Sequence, residues 1–423
     1  MLFRFCLYGF LKNQRYFEPF LVLAFLDLGL SFFWIGVLAA VRSATINLLE
    51  IPSGALADTW GRRGTLMVSF VAYIFCFLCL AFATQFHWLV LAMSLYGVGD
   101  SFRTGTHKAM IFEWLRIHGR ESEKTKIYGI TRSWSKFGSA LSSLLAALFV
   151  ILSGQYRTVF LLAAIPCVFN VINFLGYPKE LEGSELPSRR TVGTTVRSLA
   201  DTFRQMIRNA NLRRLVFESM SWEGVFHAVK DYLQPALAMW VVLAVTGQSN
   251  GDPTSVPIAI GITYTVLFLL SGMASRQSHR LVQWCGGERQ ASDRLWIVNA
   301  LLFGTLTFGA LTGVSIIVVV VFVGLNVAQN IWRPVLISRF DGHSEPGRGA
   351  TVLSIESGAQ RLATFFIAPL LGLAVDYVSA DATLVSLWPV GIVGLVGAAL
   401  MIVIPHPSTV DQHPHKTAGG TGT

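Results

Sequence analysis

Twelve separate stretches of this 423-residue chain are apolar over the length that a bilayer core requires, and that repetition constrains the fold more than any other feature. A hydrocarbon core of roughly 30 Å takes about 20 apolar residues as helix. The stretches are residues 3–26, 33–57, 65–84, 88–115, 127–152, 156–177, 213–243, 256–275, 293–311, 315–338, 349–377 and 384–404. In lipid every backbone N–H and C=O must be paired within its own segment, which a helix achieves. Composition agrees, since 13% of the residues are charged, about half the share usual in a soluble domain. The expected class is an all-α membrane protein with twelve transmembrane helices.

The loops carry their charge asymmetrically. Arg62 and Arg63 occupy one loop; Arg116, Arg120, Lys124 and Lys126 the next but one. Eight Lys/Arg between Lys179 and Arg214 follow, then Arg276, Arg280, Arg289 and Arg294, then Arg339 and Arg348. The intervening loops hold Arg157 alone. The positive-inside rule places the basic set and both termini in the cytoplasm. The net charge of +9 does not point to nucleic acid, because the basic residues sit between apolar runs rather than in polar stretches with interleaved aromatics. The longest connection, 179–211, contains Gly183, Pro187, Ser188 and Gly193 and divides the spans six and six. Within it, 197–208 is predicted as a helix on the membrane surface. The domains are then 1–178 and 212–405, with a Pro/Gly/Thr-rich tail at 406–423 expected to be disordered. The apolar run at Met1 has no small-residue cleavage site and reads as a first span rather than a leader. Cys6, Cys76, Cys79, Cys167 and Cys285 have no disulfide-framework spacing and read as packing residues. Compact loops and the absence of Asn-x-Ser/Thr suit a bacterial inner membrane.

The halves echo one another. Arg15-Tyr16-Phe17-Glu18-Pro19 is matched by Asp231-Tyr232-Leu233-Gln234-Pro235, an offset of 216, and Ser53-Gly54 by Ser271-Gly272, an offset of 218. Lys108 and Lys136 are matched by Arg333 and Arg361, both at an offset of 225. Repeated halves put a binding site near the midplane between them.

Between the second and third stretches the chain reads Gly54-Ala55-Leu56-Ala57-Asp58-Thr59-Trp60-Gly61-Arg62-Arg63-Gly64. This resembles the loop signature of the major facilitator superfamily: glycine, a hydrophobic pair, aspartate, then glycine and two basic residues. The resemblance implies two pseudo-symmetric six-helix bundles, alternating access, and a monomer that binds a small solute in the bilayer. It also implies that Gly54, Asp58, Gly61, Arg62 and Arg63 take part in gating. Physically, Gly54 would allow close helix approach and Gly61 a sharp turn. Asp58 can accept from a facing helix N-terminus, which by the resemblance is the start of the eleventh span near 347–350. Arg62 and Arg63 also serve as topology charges. The second copy of the loop keeps Gly272 and Arg280 but has Arg276 in place of aspartate. Gly138, Ser142 and Ala146 in the fifth span lack the proline common in drug antiporters, which weakens the alternative of a multidrug efflux antiporter.

An ionisable group at the bilayer centre costs roughly 2.5–3.5 kcal/mol on insertion scales, so it must face a wet cavity or a partner. Here the basic residues Lys12, Arg15, Arg42, Arg103, Lys108, Arg132, Lys136, Lys230, Arg333 and Arg361 lie within the spans. So do the acidic residues Glu18, Glu50, Asp100, Glu113, Glu223, Asp231 and Glu356. Arg15 with Glu18, and Asp100 with Arg103, are three apart and can pair on one face. Lys108, Lys136, Arg333 and Arg361 recur in both halves, and only Lys108 has an acid, Glu113, near it along its own helix. With Arg42, Arg103 and Arg132 they are the expected contacts of a small polar, anionic or zwitterionic solute. Proton coupling needs a carboxylate that titrates near working pH. Glu223 and Glu356 rank first, having no basic residue within one turn, followed by Glu18 and Asp100.

Glu223, His227 and Asp231, spaced by four, form a stripe of ligand-type side chains, and His107 and Met110 lie three apart. A transition-metal transporter is therefore a further reading, although Lys108 and Lys230 beside these groups oppose a bound cation. A transporter-like sensor without flux is another. No nucleophile elbow, phosphate-cradling glycine loop or zinc-type cysteine pair suggests an enzyme or a cofactor.

Overall fold

The computed structural model describes residues 1–104, 106–182, 197, 201, 203–204, 207–245, 254–342, 349–380 and 385–405. Every regular element among them is helical. Eight spans are single helices long and apolar enough to cross a bilayer. They are the second (Phe32–Trp60), third (Arg62–Phe82), fifth (Lys124–Ser153), sixth (Thr158–Leu175), eighth (Ser255–Cys285), ninth (Glu288–Leu311), tenth (Ser315–Gly342) and eleventh (Gly349–Ser379). The twelfth, Trp388–Val403, is shorter. The eighth continues as helix well past the expected end at 275, carrying Arg276 and Arg280 with it.

The first and fourth spans are interrupted and the seventh changes helix type along its length, which the hydropathy reading did not foresee. The first consists of Leu2–Lys12 and Leu21–Asp27, the fourth of Phe86–Arg103 and Thr106–Ile117. The seventh runs Ala210–Ser219, a π-helical Met220–Gly224, Val225–Val229, a 3-10 turn Lys230–Tyr232, and Leu233–Val245. In the first span Pro19 cannot donate, and its ring disfavours a helical residue before it. Isolated turn bonds such as Glu18 N to Arg15 O at 3.0 Å replace the helical ladder there. The break coincides with the repeated segment: Gln234, at the position matching Glu18, donates to the Glu18 carbonyl at 2.9 Å. Its Oε1 accepts from Val22 N at 2.8 Å and Leu23 N at 3.4 Å. A fully buried glutamine of one half thus caps a helix of the other.

Spans one to six pack among themselves, as do seven to twelve, and the two groups meet chiefly through the second span against the eleventh and the fifth against the eighth. A side chain at Gly36 would strike the Ala368 carbonyl, and one at Gly261 would sit 3.4 Å from the Ser143 carbonyl. Gly36 and Gly261 are 225 apart (261 − 36), as are Ser143 and Ala368 (368 − 143). The two crossings are therefore equivalent under one repeat offset. That register corrects the 218 taken from the Ser-Gly pairs by seven residues, or about two helical turns. Both crossings lie away from the loops rich in Lys and Arg. On that far side Asp376 also accepts from Phe32 N at 2.9 Å and Phe33 N at 2.8 Å, at the very start of the second span. On the basic side the first, fourth and fifth spans enclose a cavity.

Candidate functional site

Helical periodicity builds this cavity. The fifth span contributes Tyr128, Thr131, Arg132, Ser135, Lys136 and Ser139, spaced by threes and fours on one face. Phe5, Tyr8, Gly9 and Lys12 come from the first span, and Arg103, His107, Lys108 and Ile111 from the two halves of the fourth. The space measures about 390 Å³, and five of its lining residues are Lys or Arg, with no Asp or Glu. Arg103 is neutralised from behind: its Nη2 donates to Asp100 at 2.8 Å, and Tyr73 Oη donates to the same oxygen at 2.6 Å. Lys12, Lys108, Arg132 and Lys136 have no carboxylate within ion-pair distance among the described residues. Three of them lie against rings instead. Lys108 is 5.4 Å from the centroid of Tyr128, Arg132 is 5.9 Å from the same ring, and Lys12 is 6.0 Å from Tyr8. Such contacts contribute on the order of 1 kcal/mol and leave the charge available to a solute. His107 closes the inner wall, stacked on Tyr8 at 3.7 Å, with Nε2 3.1 Å from Tyr177 Oη.

The second half holds the buried acids. Arg333 of the tenth span is bidentate to Glu356 of the eleventh, at 2.6 and 3.0 Å. Ser219 of the seventh span donates to the same carboxylate. Glu223 lies beside this pair: Gln329 Nε2 donates to its Oε2 at 3.0 Å, and Arg333 Nη1 is 3.9 Å from Oε1, which is buried and has no hydrogen bond. Glu356 and Glu223 are 0% and 1% exposed. The expectation that Glu356 and Arg333 lack partners is thus corrected, because the partner comes from a neighbouring helix rather than from the same one. Arg361 is corrected likewise. It pairs with Glu50 of the second span and donates through Nε to Asn47 Oδ1 at 2.6 Å. Ser354 donates to Glu50 at 2.9 Å. Arg333 and Arg361 therefore do not line the basic cavity with Lys108 and Lys136.

The remaining candidates are dispersed. Arg42 lies over Tyr96, 5.6 Å from its centroid, and Glu18 sits 3.8 Å from Arg15 in the first-span break. His227 Nε2 is 3.9 Å from Glu223, but Asp231 turns to Lys230 at 3.1 Å, in the 3-10 turn that disturbs the fourfold spacing. The stripe Glu223, His227 and Asp231 does not converge, and no group of three metal-ligating side chains occurs among the described residues.

The sequence model of the Major Facilitator Superfamily matches residues 5–343. The chain belongs to this superfamily. A search of curated protein sequences returns no match. Among solved structures, the nucleoside transporter NupG superposes with a TM-score of 0.73 at 13% identity, covering 95% of this chain and 96% of that one. A D-xylose–proton symporter gives 0.68 at 17% identity, covering 96% and 97%. The inward-open xylose transporter XylE from E. coli gives 0.61 at 15% identity, covering 97% of each. At these identities the likeness shows the fold: two pseudo-symmetric six-helix bundles of a transporter, in a multi-pass membrane protein.

The superfamily loop lies where the sequence puts it, between the second and third spans. Gly61 has φ +82°, the left-handed region that glycine adopts without strain. Arg63 donates to the Tyr177 carbonyl at 3.1 Å, tying the third span to the end of the sixth, and Arg62 opens the third span. Among the described residues, a Cβ at Gly54 would meet nothing within 4 Å. The side chain of Asp58 and residues 343–348 lie outside the described residues, as do most of 183–200 and the tail from 406. Helical backbone is described at residues 197, 201, 203, 204, 207 and 208.

The sequence reading missed several polar contacts of this superfamily member. Arg214 Nε donates to Glu218 at 2.9 Å, and Arg339 Nη1 donates to the other oxygen at 2.5 Å, within a buried cluster on the basic side. The spacing of four between Arg214 and Glu218 was a usable signal. Gln234 and Asp376, which seal the far side, carry no such signal, because their acceptors and donors are backbone groups of the other half.

Proposed function

We propose that this protein is a secondary active transporter of a small anionic solute, working by alternating access in a bacterial inner membrane with both termini cytoplasmic. The observation that carries this reading is a cavity lined by no carboxylate, in which four of the five cations have no carboxylate within ion-pair distance among the described residues. Water in an open cavity can solvate these cations, and an anion entering it is attracted by all four at once with no carboxylate to compete. Lys12, Lys108, Arg132 and Lys136 bind the solute, and Arg103, fixed by Asp100 and Tyr73, supports the wall. With the far side closed and the cavity lying toward the loops rich in Lys and Arg, the molecule is in its inward-facing state.

Coupling to protons runs through the second half. Glu223 offers a buried oxygen with no donor, on which a proton can sit. Arg333 stands within reach of both Glu223 and Glu356, so the charge state of Glu223 biases which acid it holds. The test is uptake of radiolabelled anions into proteoliposomes. Lys136→Ala and Arg132→Ala are expected to lower kcat/KM at least about tenfold each. Wild-type rates in both variants would discard the cavity as the solute site. Glu223→Gln is expected to abolish the response to a pH gradient. Transport by the wild type that ignores the gradient would remove proton coupling and leave the solute site standing.

A further inference from the structure

We infer that the solute is a hydroxylated phosphomonoester, such as a phosphorylated sugar or polyol, held through a dianionic phosphoryl group. This rests on reading the basic cavity as the solute site, and it narrows the solute class from anion to one chemistry.

Charge count is the first argument. Lys12, Lys108, Arg132 and Lys136 enter the cavity from three different spans, with no carboxylate among the lining residues. A monoanion would leave most of that charge uncompensated. A group that concentrates two charges on one centre compensates more of it within the same small space. Donor geometry is the second argument. Three of the four cations are lysines, whose ammonium groups are point donors on flexible stems. Converging from several directions, they suit a tetrahedral oxyanion. A planar carboxylate is matched best by the arginine fork, and the cavity has one arginine free of a carboxylate partner.

The hydroxyls supply the third argument. Thr131, Ser135 and Ser139 donate to the carbonyls of Tyr128, Thr131 and Ser135 at 2.9, 3.1 and 3.2 Å. With their hydrogens bonded within the fifth span, these hydroxyls of the cavity lining keep oxygen lone pairs free to accept. Acceptors repel a phosphoryl group but receive hydroxyls. The cavity therefore divides into cationic donors for an anionic head and neutral acceptors for a hydroxyl-bearing body. At about 390 Å³ it lies toward the small end of ligand pockets.

The experiment measures ligand binding to the purified full chain in detergent, by calorimetry and thermal shift, at about pH 8, where phosphoryl groups are dianionic. Glucose 6-phosphate, ribose 5-phosphate and glycerol 3-phosphate are each compared with the unphosphorylated parent, and gluconate serves as a monoanion of similar size. At least one phosphate ester is expected to bind, at least about tenfold more tightly than gluconate, with its parent silent, and more weakly as salt rises. Lys108→Gln, Arg132→Gln and Lys136→Gln are each expected to weaken it about tenfold without changing the melting point of the unliganded protein. Gluconate binding as tightly as the esters would overturn the phosphomonoester inference and leave the anion reading intact. Parent sugars binding as tightly as the esters would overturn both. Silence of all three esters would overturn the inference.

Discussion

Arg333 is held by both oxygens of Glu356, and Arg361 by Glu50 with Asn47, so two of the intramembrane cations are neutralised by acids from other spans. Removing one partner of a buried pair leaves a lone charge and typically costs about 3–5 kcal/mol. Arg333→Ala is therefore expected to lower the melting point sharply, and Arg333→Ala combined with Glu356→Ala to recover most of the loss. A double variant as unstable as the single one would show that the pair is not the cause. The ionisable residues were legible in the sequence because charge stands out in an apolar run. Their partners were not, since spacing along a helix sees only three or four residues away, whereas Glu356 is 23 residues from Arg333 and Glu50 is 311 from Arg361. Arg132 and Lys136, four apart, share a face of the fifth span, but Lys12, which the sequence reading did not place among the solute contacts, joins them and Lys108 only because three spans meet.

At the level of the helix, the spans that fail to run continuously are informative. The first and fourth are broken and the seventh changes helix type along its length, and the first and fourth supply two of the three walls of the basic cavity. Apolar length made twelve spans readable. It could not reveal the interruptions, because averaging hydropathy over a window smooths a few polar or Pro-containing residues into the run. The break in the first span is stabilised from the opposite half by Gln234, and the start of the second span by Asp376. Gln234→Ala leaves buried backbone donors and a carbonyl unpaired, and is expected to cost about 1–3 kcal/mol. Asp376→Ala is expected to behave similarly. Because the lost contacts exist only when the far side is closed, both variants should also increase alkylation of a cysteine introduced at Ala147, whose Cβ packs against Gly261 in the crossing of the fifth and eighth spans. Unchanged alkylation with reduced stability would show that these contacts support the fold and not the closure.

For the molecule as a whole, the fold was legible from the span count and the repeat, and the paired crossings of Gly36 on Ala368 and Gly261 on Ser143 follow the offset of 225 carried by Lys108 with Arg333 and Lys136 with Arg361. Ser143 Oγ and Thr265 Oγ1 stand 2.8 Å apart across one of these crossings. In a background without the native cysteines, Ser143→Cys with Thr265→Cys is expected to cross-link under oxidation, stop transport, retain ligand binding, and recover on reduction. Transport that continues in the oxidised protein would mean that the lobes do not separate there. The far-side caps add something to this picture. Backbone N–H groups of one lobe rest on an amide and a carboxylate of the other, and water can replace each of those bonds when the lobes part. The net difference is about 0.5–1.5 kcal/mol per bond, far less than exposing a greasy seal of equal extent would cost. These caps therefore give the closure its register at little cost on opening, and the packed crossings of the second span on the eleventh and the fifth on the eighth set its depth.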